Sequence, residues 1–598
     1  MNNDRIEAII FYFLSAIIFL NLIFPGEIYS TSRYLALLVS ITLCFLLSLN
    51  RLQQKAPLNI TLPYKGLFVA IIILLMVSSF ASINYQQSRD YLFLFLSYAL
   101  IFLMVHNIEI NNRMFDNFCK GILIVGLLIA GYGIYQYLFG FDYLLKELPS
   151  FKDLDQLQRI DIIKRIGEKR IFSTFALPTS LSGFLALIIP LAAAKSYLSC
   201  RHNKKLLLLY LPLISLYLVA MIATGSFGAI ISLLLAAFLA FQLLSLYKGK
   251  IAKSLILYIL ALVVILGLSL LTLGYLRGFQ LWNLKASTNP IILRWENWKV
   301  ALKIAQDFPF LGAGLGNYGT LYPKYMTLER SKTQFAHNSL LQFAAEIGFI
   351  ATIMMAVMVF LLFRNSIRHI RRGLRLKAMK EEDIIKYALL VSCLTFAIHN
   401  LLEISLYFPS LGLLGIFLFS LLLRMGDHKA AEERRNKALS HSYRIILVWI
   451  VLLLFLFAVI WITRPMMGKI YAQRAEEATI KEDYHNALRF ISSAIFWDSK
   501  NCEYYSTRAK MVAAIPEEKG GDFEALVKDY KEALRCNPYS PHLHFELSQI
   551  YLSRGWLASA YLETYEAKRL YPLNKKYAEH LENCQQLMMK ARANDEVK

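Results

Sequence analysis

Residues 443–480 read YRIILVWIVLLLFLFAVIWITRPMMGKIYAQRAEEATI, and the two halves of this stretch differ in character. Residues 443–463 are apolar almost throughout, and as a helix they are long enough to cross the roughly 30 Å of hydrocarbon in a bilayer. From Met466 onward the hydropathy falls and the pattern becomes that of a polar helix. The chain therefore passes here from a membrane-spanning part into a water-soluble helical part.

Apolar stretches of this kind recur through the whole of the preceding sequence. Hydrophobic residues make up 57% of the 598 residues, against roughly 45–50% in soluble proteins. The predicted spans are 6–24, 34–49, 66–83, 91–107, 118–139, 176–195, 206–223, 227–247, 254–274, 338–363, 385–402, 409–424 and 443–463. This pattern predicts an all-α protein, in which a polytopic transmembrane helix bundle of about 12–13 spans precedes an α-helical repeat domain.

The positive charge belongs to the membrane part. The net charge is +22, and residues 465–598 contribute none of it because their basic and acidic residues balance. The remaining basic residues lie between apolar runs and form no basic patch with spaced aromatic residues, so we predict no nucleic-acid partner. Two domains are expected, a transmembrane domain at 1–464 and a repeat domain at 465–598.

The distribution of Lys and Arg among the connecting segments predicts the orientation in the membrane. Basic residues concentrate in alternate connections, at 51–65, 195–205, 248–253 and 364–377. Cytoplasmic connections carry such an excess, so the N-terminus is predicted to lie inside. Thirteen crossings then place the repeat domain on the exported side, together with two long loops at about 140–175 and 275–337.

The C-terminal part contains a recurring phrase. The segments NALRFISSAIFWDSKN, KEALRCNPYSP and YEAKRLYPLNKKY align on Ala494, Ala533 and Ala567, at spacings of 39 and 34 residues. A period of 34 is that of tetratricopeptide helix pairs, which this region resembles. Such units bury their apolar faces only by stacking and usually present a binding surface. The alternative is a helical cap that only stabilises the exported side.

The loop at 275–337 is the first candidate for chemistry. It has more basic than acidic residues although the positive-inside bias opposes exported cations, which suggests an anionic ligand. Arg294 begins the segment RWENWKVALKIAQDFPFLGAGLGNYG, whose tryptophans and alanines form an apolar stripe at helical spacing. An arginine there can bind a phosphate with two parallel hydrogen bonds. We predict that Arg294 acts in catalysis and that Lys299 contacts substrate; the alternative is binding of lipid headgroups.

The glycines of this segment invite a second interpretation. GLGNYG at 314–319 formally satisfies the dinucleotide-binding pattern, but no strand precedes it, so we reject a dinucleotide site. A tight turn fits better, with the amides of Gly314 and Gly316 available to phosphate. The alternative is that turn geometry alone requires these glycines.

His337 and Asn338 stand where the loop re-enters the membrane, in FAHNSLLQFAAEIGF. A histidine at a water-accessible helix end can accept a proton near neutral pH, so His337 is a candidate base and Asn338 a candidate substrate contact. The alternative for this pair is an interfacial helix cap. Glu346 lies off the face of His337 and is expected to be a buried packing group, whereas His399 and Glu403 are four apart and can pair with each other.

The loop at about 140–175 supplies two further cations. The segment EKRIFSTFALPTSLSGFLALIIP places Lys169 and Arg170 just before a helix that is predicted to begin near Pro178. Helix N-termini attract anions, so both residues are candidates for substrate binding, and Arg170 also for catalysis; a flanking membrane anchor is the alternative. Asp153-Leu154-Asp155 could hold a divalent metal, but its alternating charges favour a solvated face. We predict no metal site and no cofactor.

Taken in order, KRIFSTFALPTSLSGFLALIIPL, RWENWKVALKIAQDFPFLGAGLGNYGTLYPKY and AHNSLLQFAAEIGF resemble the O-antigen ligase and O-antigen polymerase superfamily of polytopic membrane glycosyltransferases. The resemblance implies a protein of the bacterial inner membrane that assembles cell-surface glycans. Such enzymes move a polyprenyl-diphosphate-linked glycan, without metal or nucleotide sugar, onto a glycan, lipid or protein acceptor outside the cytoplasm. The resemblance also implies that the functional arginines and histidine of this superfamily correspond to Arg170, Arg294 and His337. One departure is that Phe227 stands where family members often carry the arginine of Ser-Arg-Gly.

Other functions remain open on this sequence. Ligase, polymerase and protein O-oligosaccharyltransferase need the same donor chemistry, and a lipid-linked glycan transporter or a non-catalytic assembly scaffold is an alternative of a different class. Transporters concentrate ionisable groups near the bilayer midplane. Here the candidates cluster at the exported rim, which favours the enzyme. The repeat domain is expected to recruit a protein partner or a protein acceptor.

Overall fold

The computed structural model describes residues 3–25, 31–53, 61–147, 163, 166–248, 289–328, 333–375, 381–424, 441–514 and 522–596. Within these ranges the secondary structure is helical and contains no strand, so the predicted all-α class is confirmed. The predicted span at 254–274, the first part of the loop at 275–337 and the Asp153-Leu154-Asp155 motif lie outside the described residues.

The membrane part is a bundle of apolar helices. Its helices are α1 (Asn3–Ile23), α2 (Thr31–Gln53), α3 (Lys65–Phe80), α4 (Tyr85–Asn107), α5 (Asn112–Tyr135), α6 (Phe141–Glu147), α7 (Pro178–His202), α8 (Leu207–Ala223), α9 (Phe227–Lys248), α10 (Pro290–Asp307), α11 (Tyr318–Tyr325), α12 (Ser339–Arg375), α13 (Glu381–Leu402), α14 (Pro409–Arg424) and α15 (His441–Ile480). Nine helices in the described ranges meet the length and composition of a membrane span, and the shorter α3, α9 and α14 are also apolar. Together they match every predicted span outside 254–274, and the chain is an integral membrane protein.

The helices occupy central and peripheral positions. In α7, 78% of the apolar window is buried, against 6% in α15. Helix α7 therefore lies in the core of the bundle, where it packs against α8, α9 and α13. Helix α15 lies at the edge, where its leucines and phenylalanines face the surroundings. An apolar surface of this extent is stable only in lipid.

Helix α12 is interrupted at Gly348, whose backbone angles (φ 78°, ψ 171°) are not helical. The loop that follows α10 fills the gap: the amides of Ala313 and Gly314 donate to the carbonyls of Ala345 and Glu346 at 3.0 and 2.8 Å. A side chain on Gly348 would stand 2.2 Å from the carbonyl oxygen of Phe310. Backbone groups freed inside a membrane need internal partners, and this loop supplies them.

The predicted exported loop at 275–337 is largely folded where it is described. It forms α10 and α11, which pack on each other and on α12. The apolar stripe of α10 divides between two environments, since Ala301 and Ala305 are buried whereas Trp295 and Leu302 are exposed. The loop also lies over the first turn of α4, where the side-chain amide of Asn317 donates to the hydroxyl of Ser88 at 2.8 Å.

The transition from membrane to tail shows no break in the backbone. Helix α15 continues through Pro465 and on to Ile480, so the predicted boundary at 464/465 falls inside one helix. Proline removes one backbone hydrogen bond without ending this helix. The change that the sequence shows at Met466 is a change in the surroundings of the helix and not in its conformation.

The tail consists of stacked helices. They are α16 (Tyr484–Trp497), α17 (Cys502–Ala513), α18 (Phe523–Cys536), α19 (Pro541–Ser553), α20 (Leu557–Leu570) and α21 (Lys575–Glu596). The three alanines on which the repeats align, Ala494, Ala533 and Ala567, are all fully buried in α16, α18 and α20. The carbonyl of each accepts the amide four residues later, at 2.9, 3.0 and 3.0 Å. The tetratricopeptide-like repeats are therefore present.

The tail is docked onto the bundle at two places. Arg89, near the start of α4, binds both carboxylate oxygens of Asp498 at 2.7 and 2.9 Å. Tyr539, Tyr571 and Leu573 pack against the apolar cluster that α10 and α11 form. The repeats therefore lie on the same side of the bundle as α10 and α11.

Candidate functional site

Glu403, directly after α13, joins two of the predicted site residues. One of its carboxylate oxygens binds the guanidinium of Arg294, and the other lies 3.0 Å from Nδ1 of His337. The side chain of Glu403 is only 4% exposed, whereas those of Arg294 and His337 are 33% and 31% exposed. A buried carboxylate thus holds a cation and an imidazole that both remain accessible from outside.

Arg294 is positioned by the start of α10. Asn289 precedes this helix, and its side-chain oxygen accepts the amide of Ile291 at 2.9 Å, while Pro290 occupies the first turn. Both residues are typical of a helix N-terminus. Arg294 follows one turn later, at the border of the buried face that Ala301 and Ile304 help to form, and is itself partly exposed.

His337 is positioned by the turn that leads into α12. Its backbone lies in the left-handed region (φ 53°), which is uncommon for a residue other than glycine and occurs where the surroundings fix it. Those surroundings are hydrogen bonds on both sides: the amide of Ala336 donates to Gln342 at 2.6 Å, and the hydroxyl of Ser339 donates to the carbonyl of Glu403 at 3.2 Å. The turn is tied directly to the end of α13.

Arg170 reaches the same region through the turn between α8 and α9. Its Nε donates to the carbonyl of Thr224 at 2.9 Å. At the other end of this turn, a side chain added to Gly228 would lie 3.8 Å from Cγ of Glu403. Residues 224–228 therefore separate Arg170 from the carboxylate by only a short turn. Phe227, which replaces the arginine of the family pattern, is partly buried against the apolar core.

The charge on Glu403 is fixed by its neighbours. Burial alone would raise the pKa of this carboxyl, but the positive charge of Arg294 and the hydrogen bond from His337 lower the pKa to about 2. The carboxylate therefore stays ionised at neutral pH. An ionised acceptor next to Nδ1 favours the tautomer with the proton on Nδ1, which leaves the lone pair on Nε2.

The predicted substrate contacts have different surroundings. Lys169 is exposed and has a positive φ of 47°. Lys299 pairs with Glu296 at 2.7 Å, within its own helix. The side-chain oxygen of Asn338 accepts the amide of Leu341 at 3.1 Å, so Asn338 caps α12, which was the alternative interpretation.

The amides of Gly314 and Gly316 are used inside the protein. That of Gly314 donates to the backbone of Glu346, and that of Gly316 donates to the Glu346 carboxylate. A side chain on Gly316 would stand 2.2 Å from the ring of Tyr91. Close packing against α4 and α12 accounts for both glycines, and we do not assign them to phosphate.

Two other predictions concern buried groups. Glu346 is fully buried, as expected of a packing group, and accepts hydrogen bonds from Tyr407 and Gln342, both at 2.7 Å. The side chains of His399 and Glu403, which were expected to pair, are not joined by a hydrogen bond in the described part of the chain. Nδ1 of His399 lies 2.8 Å from the hydroxyl of Ser405 instead. Because the chain leaves the helix after Leu402, Glu403 no longer projects from the face that carries His399.

Glu403 is the site residue whose partners the sequence analysis missed. It lies 109 residues from Arg294 and 66 from His337 along the chain. The available signal was a carboxylate at the end of an apolar helix, where an acidic group is costly unless it has a partner. Local spacing suggested His399 as that partner, and only the packing of α13 against the turn before α12 identifies the correct ones.

Comparison with known proteins gives three results. The Arabidopsis OM64 TPR domain is similar over 21% of this chain and 98% of its own, with 17% identity and a TM-score of 0.18. The first TPR of Spaghetti (RPAP3), bound to an HSP90 peptide, is similar over 21% and 94%, with 14% identity and a TM-score of 0.19. No curated protein matches the chain. Residues 212–356, which include Arg294 and His337, match the family described as O-antigen ligase, and this membrane protein therefore carries an O-antigen ligase domain, which is a glycosyltransferase-type unit.

Proposed function

We propose that this protein transfers a glycan from a polyprenyl-diphosphate-linked donor to an acceptor on the exported side of the bacterial inner membrane. The observation that carries the proposal is the arrangement of Arg294 and His337 on the two oxygens of one buried carboxylate, with both outer faces accessible. One accessible cation and one accessible base are what transfer from a glycosyl diphosphate requires. The O-antigen ligase domain supports this reaction class.

The arginines bind the leaving group. As the bond between the anomeric carbon and the diphosphate oxygen breaks, negative charge develops on the departing polyprenyl diphosphate. Arg294 is held by Glu403 on one side, and its partly exposed guanidinium has further N–H groups that can donate to this charge. Arg170, anchored to the Thr224 carbonyl, adds a second fixed cation. Fixed cations stabilise the developing charge without reorganisation during the reaction.

His337 activates the acceptor. Nε2 takes the proton of the acceptor hydroxyl while the hydroxyl oxygen forms the new bond to the anomeric carbon. The imidazolium that results carries a positive charge, which the Glu403 carboxylate stabilises at 3.0 Å. A base that a third group orients in this way is the general arrangement for activating a hydroxyl.

Charge and connectivity support the exported side of the membrane for this site. The basic connections at 51–65 and 195–205 mark the cytoplasmic ends of α2, α3, α7 and α8. The site lies at the opposite ends of these helices, next to α10 and the repeats. Lipid-linked glycan is therefore bound where it is presented outside the cytoplasm.

The decisive experiment uses purified full-length protein in vesicles with a polyprenyl-diphosphate-linked glycan and an acceptor. We expect release of free polyprenyl diphosphate, and its loss in the Arg294→Ala protein. Lys303→Ala is the matched control, because Lys303 is an exposed cation on the same helix. A transporter would move the donor across the vesicle without releasing the diphosphate, and that result would overturn the proposal.

A further inference from the structure

Gln342 joins the turn that carries His337 to the interior of the bundle. Its side-chain oxygen accepts the amide of Ala336 at 2.6 Å, and its side-chain amide donates to Oε1 of Glu346 at 2.7 Å. Gln342 and Glu346 are both fully buried and lie one turn apart on α12. A hydrogen bond in a buried environment of low polarity is costly to break, because the freed groups find no water. The backbone next to His337 is thus tied through one side chain to a buried carboxylate.

Glu346 determines which way round the amide of Gln342 is held. Oε1 of Glu346 also accepts the backbone amide of Tyr318 at 3.2 Å, and Oε2 accepts the hydroxyl of Tyr407 at 2.7 Å. A carboxylate oxygen that accepts a backbone amide repels a second oxygen, so Gln342 presents its NH₂ group to Glu346. Its carbonyl oxygen is then left for Ala336. A reversed amide would set the NH₂ group against the N–H of Ala336 and break the contact.

The contact matters because the backbone of His337 lies in the left-handed region, with a φ of 53°. Residues other than glycine adopt this region rarely, and only where the surroundings impose it. Glu403 holds the imidazole at Nδ1, but a side-chain contact alone leaves the backbone free to relax. The bond from Ala336 to Gln342 restrains the turn directly before His337, as the bond from Ser339 restrains it on the other side.

We propose that Gln342 and Glu346 are positioning residues for the base His337 and that neither touches the substrate. The inference rests on the proposed function, because it takes the role of His337 from there. Proton transfer needs the base within hydrogen-bond distance of the acceptor hydroxyl, at about 2.6–3.2 Å. A displacement of about 1 Å lowers such a rate roughly 10²-fold. The pair prevents this displacement from inside the bundle, where no solvent competes for its hydrogen bonds.

The test measures glycan transfer by purified full-length protein in vesicles. Gln342→Leu keeps the approximate size of the side chain but cannot accept a backbone amide, so kcat should fall about tenfold to hundredfold. The KM for the donor should change less than about twofold, because Arg294 is untouched. Glu346→Gln removes the group that orients the amide and should lower kcat by about threefold to tenfold. Ser366→Ala is the matched control, because it removes a buried side-chain hydrogen bond of 3.0 Å from a distant part of the same helix; its kcat should be unchanged.

A double-mutant cycle separates positioning from general stability. If Gln342 acts only through His337, Gln342→Leu should cause no further loss of rate in the His337→Ala protein. A general structural defect would lower the residual rate of that protein by the same factor as in the unsubstituted one. Such a multiplicative loss would overturn the proposal, and so would a normal kcat in Gln342→Leu or a donor KM that rises while kcat is unchanged. If Gln342→Leu does not fold, Glu346→Gln takes its place in the cycle.

Hydrogen exchange of the peptide that contains Ala336 tests the contact without the reaction. The Ala336 amide should exchange slowly in the unsubstituted protein, and Gln342→Leu should raise its rate at least about tenfold. Ser366→Ala should leave that rate unchanged. If the unsubstituted protein releases no polyprenyl diphosphate, the proposed reaction is wrong, and hydrogen exchange decides separately whether Gln342 holds the turn. Equal exchange in the two variants would overturn the positioning contact whatever the reaction is.

Discussion

Two arginine–carboxylate pairs in this molecule differ in how much of the arginine remains accessible. At the interface between tail and bundle, Arg89 and Asp498 are 4% and 5% exposed, and Arg89 uses both terminal nitrogens on the carboxylate. At the candidate site, Glu403 is equally buried, but Arg294 is 33% exposed and binds through Nη2. Burial closes the first pair to a ligand, whereas the arginine of the second pair is accessible from outside. The same chemical pairing therefore joins the tail to the bundle in one region and leaves a guanidinium accessible in the other.

The surroundings of the two pairs strengthen this contrast. Asp90, beside Arg89, also accepts from Tyr34 at 2.6 Å and from Lys469 at 3.3 Å, so the interface is a closed network of five polar side chains. At the site, the second partner of Glu403 is His337, which is itself accessible. A closed network stabilises one arrangement, whereas an open one keeps hydrogen-bonding capacity for a substrate.

The largest effect on glycan transfer is expected from a change in the accessible pair, Arg294 and Glu403. Arg294→Ala removes the fixed cation at the leaving group and should lower the transfer rate by about 10² to 10³, while membrane insertion is unchanged because the residue is not in an apolar span. Arg294→Lys should recover little, since a point charge does not reproduce two parallel hydrogen bonds. Polyprenyl diphosphate release in vesicles measures both. Arg170→Ala is expected to act in the same direction, and near-normal rates in both alanine variants would contradict the assignment of the arginines.

A smaller effect is expected from Glu403→Gln, which keeps the shape of the side chain but removes its charge. His337 then loses the group that favours the proton on Nδ1 and stabilises the imidazolium, so kcat should fall by about tenfold to hundredfold. The KM for the donor should change less, because Arg294 remains. A variant whose KM rises while kcat is unchanged would show that Glu403 serves donor binding alone.

The pH dependence of Glu403 provides an independent check. Its pKa is lowered to about 2 in the folded protein, below the ordinary value of 4.5. A group with a lowered folded pKa contributes stability above its unfolded pKa and loses that contribution as the pH falls through the folded pKa. The difference in melting temperature between the unsubstituted protein and Glu403→Gln should therefore be constant between pH 8 and pH 5 and should shrink only towards pH 2. A difference that already disappears at pH 6 would contradict the ion pair.

The helical framework and the candidate site differ in how far the sequence alone predicts them. The repeats follow from Ala494, Ala533 and Ala567, because each alanine makes the same local hydrogen bond and is buried by neighbouring helices. The membrane spans follow from apolar length in the same local way. Arg294 and His337 were identified from their positions at helix starts. Their shared partner was not, because Glu403 comes from a helix that is distant in the sequence and leaves helical geometry at that residue.

The break in α12 at Gly348 could not be predicted from the sequence for the same reason, which is that it depends on a contact with a distant segment. Glu-x-Gly was visible in the sequence, but the function of the glycine depends on the loop around Gly312 that enters the gap. A side chain on Gly312 would stand 2.2 Å from the Glu346 backbone. Two segments more than thirty residues apart thus require glycine for one contact, and a local pattern does not reveal that they touch.

The smallest effect on transfer is expected from a change in the buried pair, Arg89 and Asp498, which is called the sealed pair below in contrast to the open pair of Arg294 and Glu403. Arg89→Ala leaves Asp498 buried without its main partner, which should destabilise the docked tail by about 3–5 kcal/mol. Transfer to a small surrogate acceptor should remain close to normal, because the site residues are untouched, whereas transfer to an acceptor recruited by the repeats should fall. Removing both charges with Arg89→Met and Asp498→Leu should restore thermal stability, since an apolar pair replaces the ion pair and Asp90 keeps Lys469 and Tyr34 as partners. If Arg89→Ala lowers surrogate transfer as strongly as Arg294→Ala does, while the protein remains folded and inserted, the two pairs act in one site and the distinction between a sealed and an open pair is wrong.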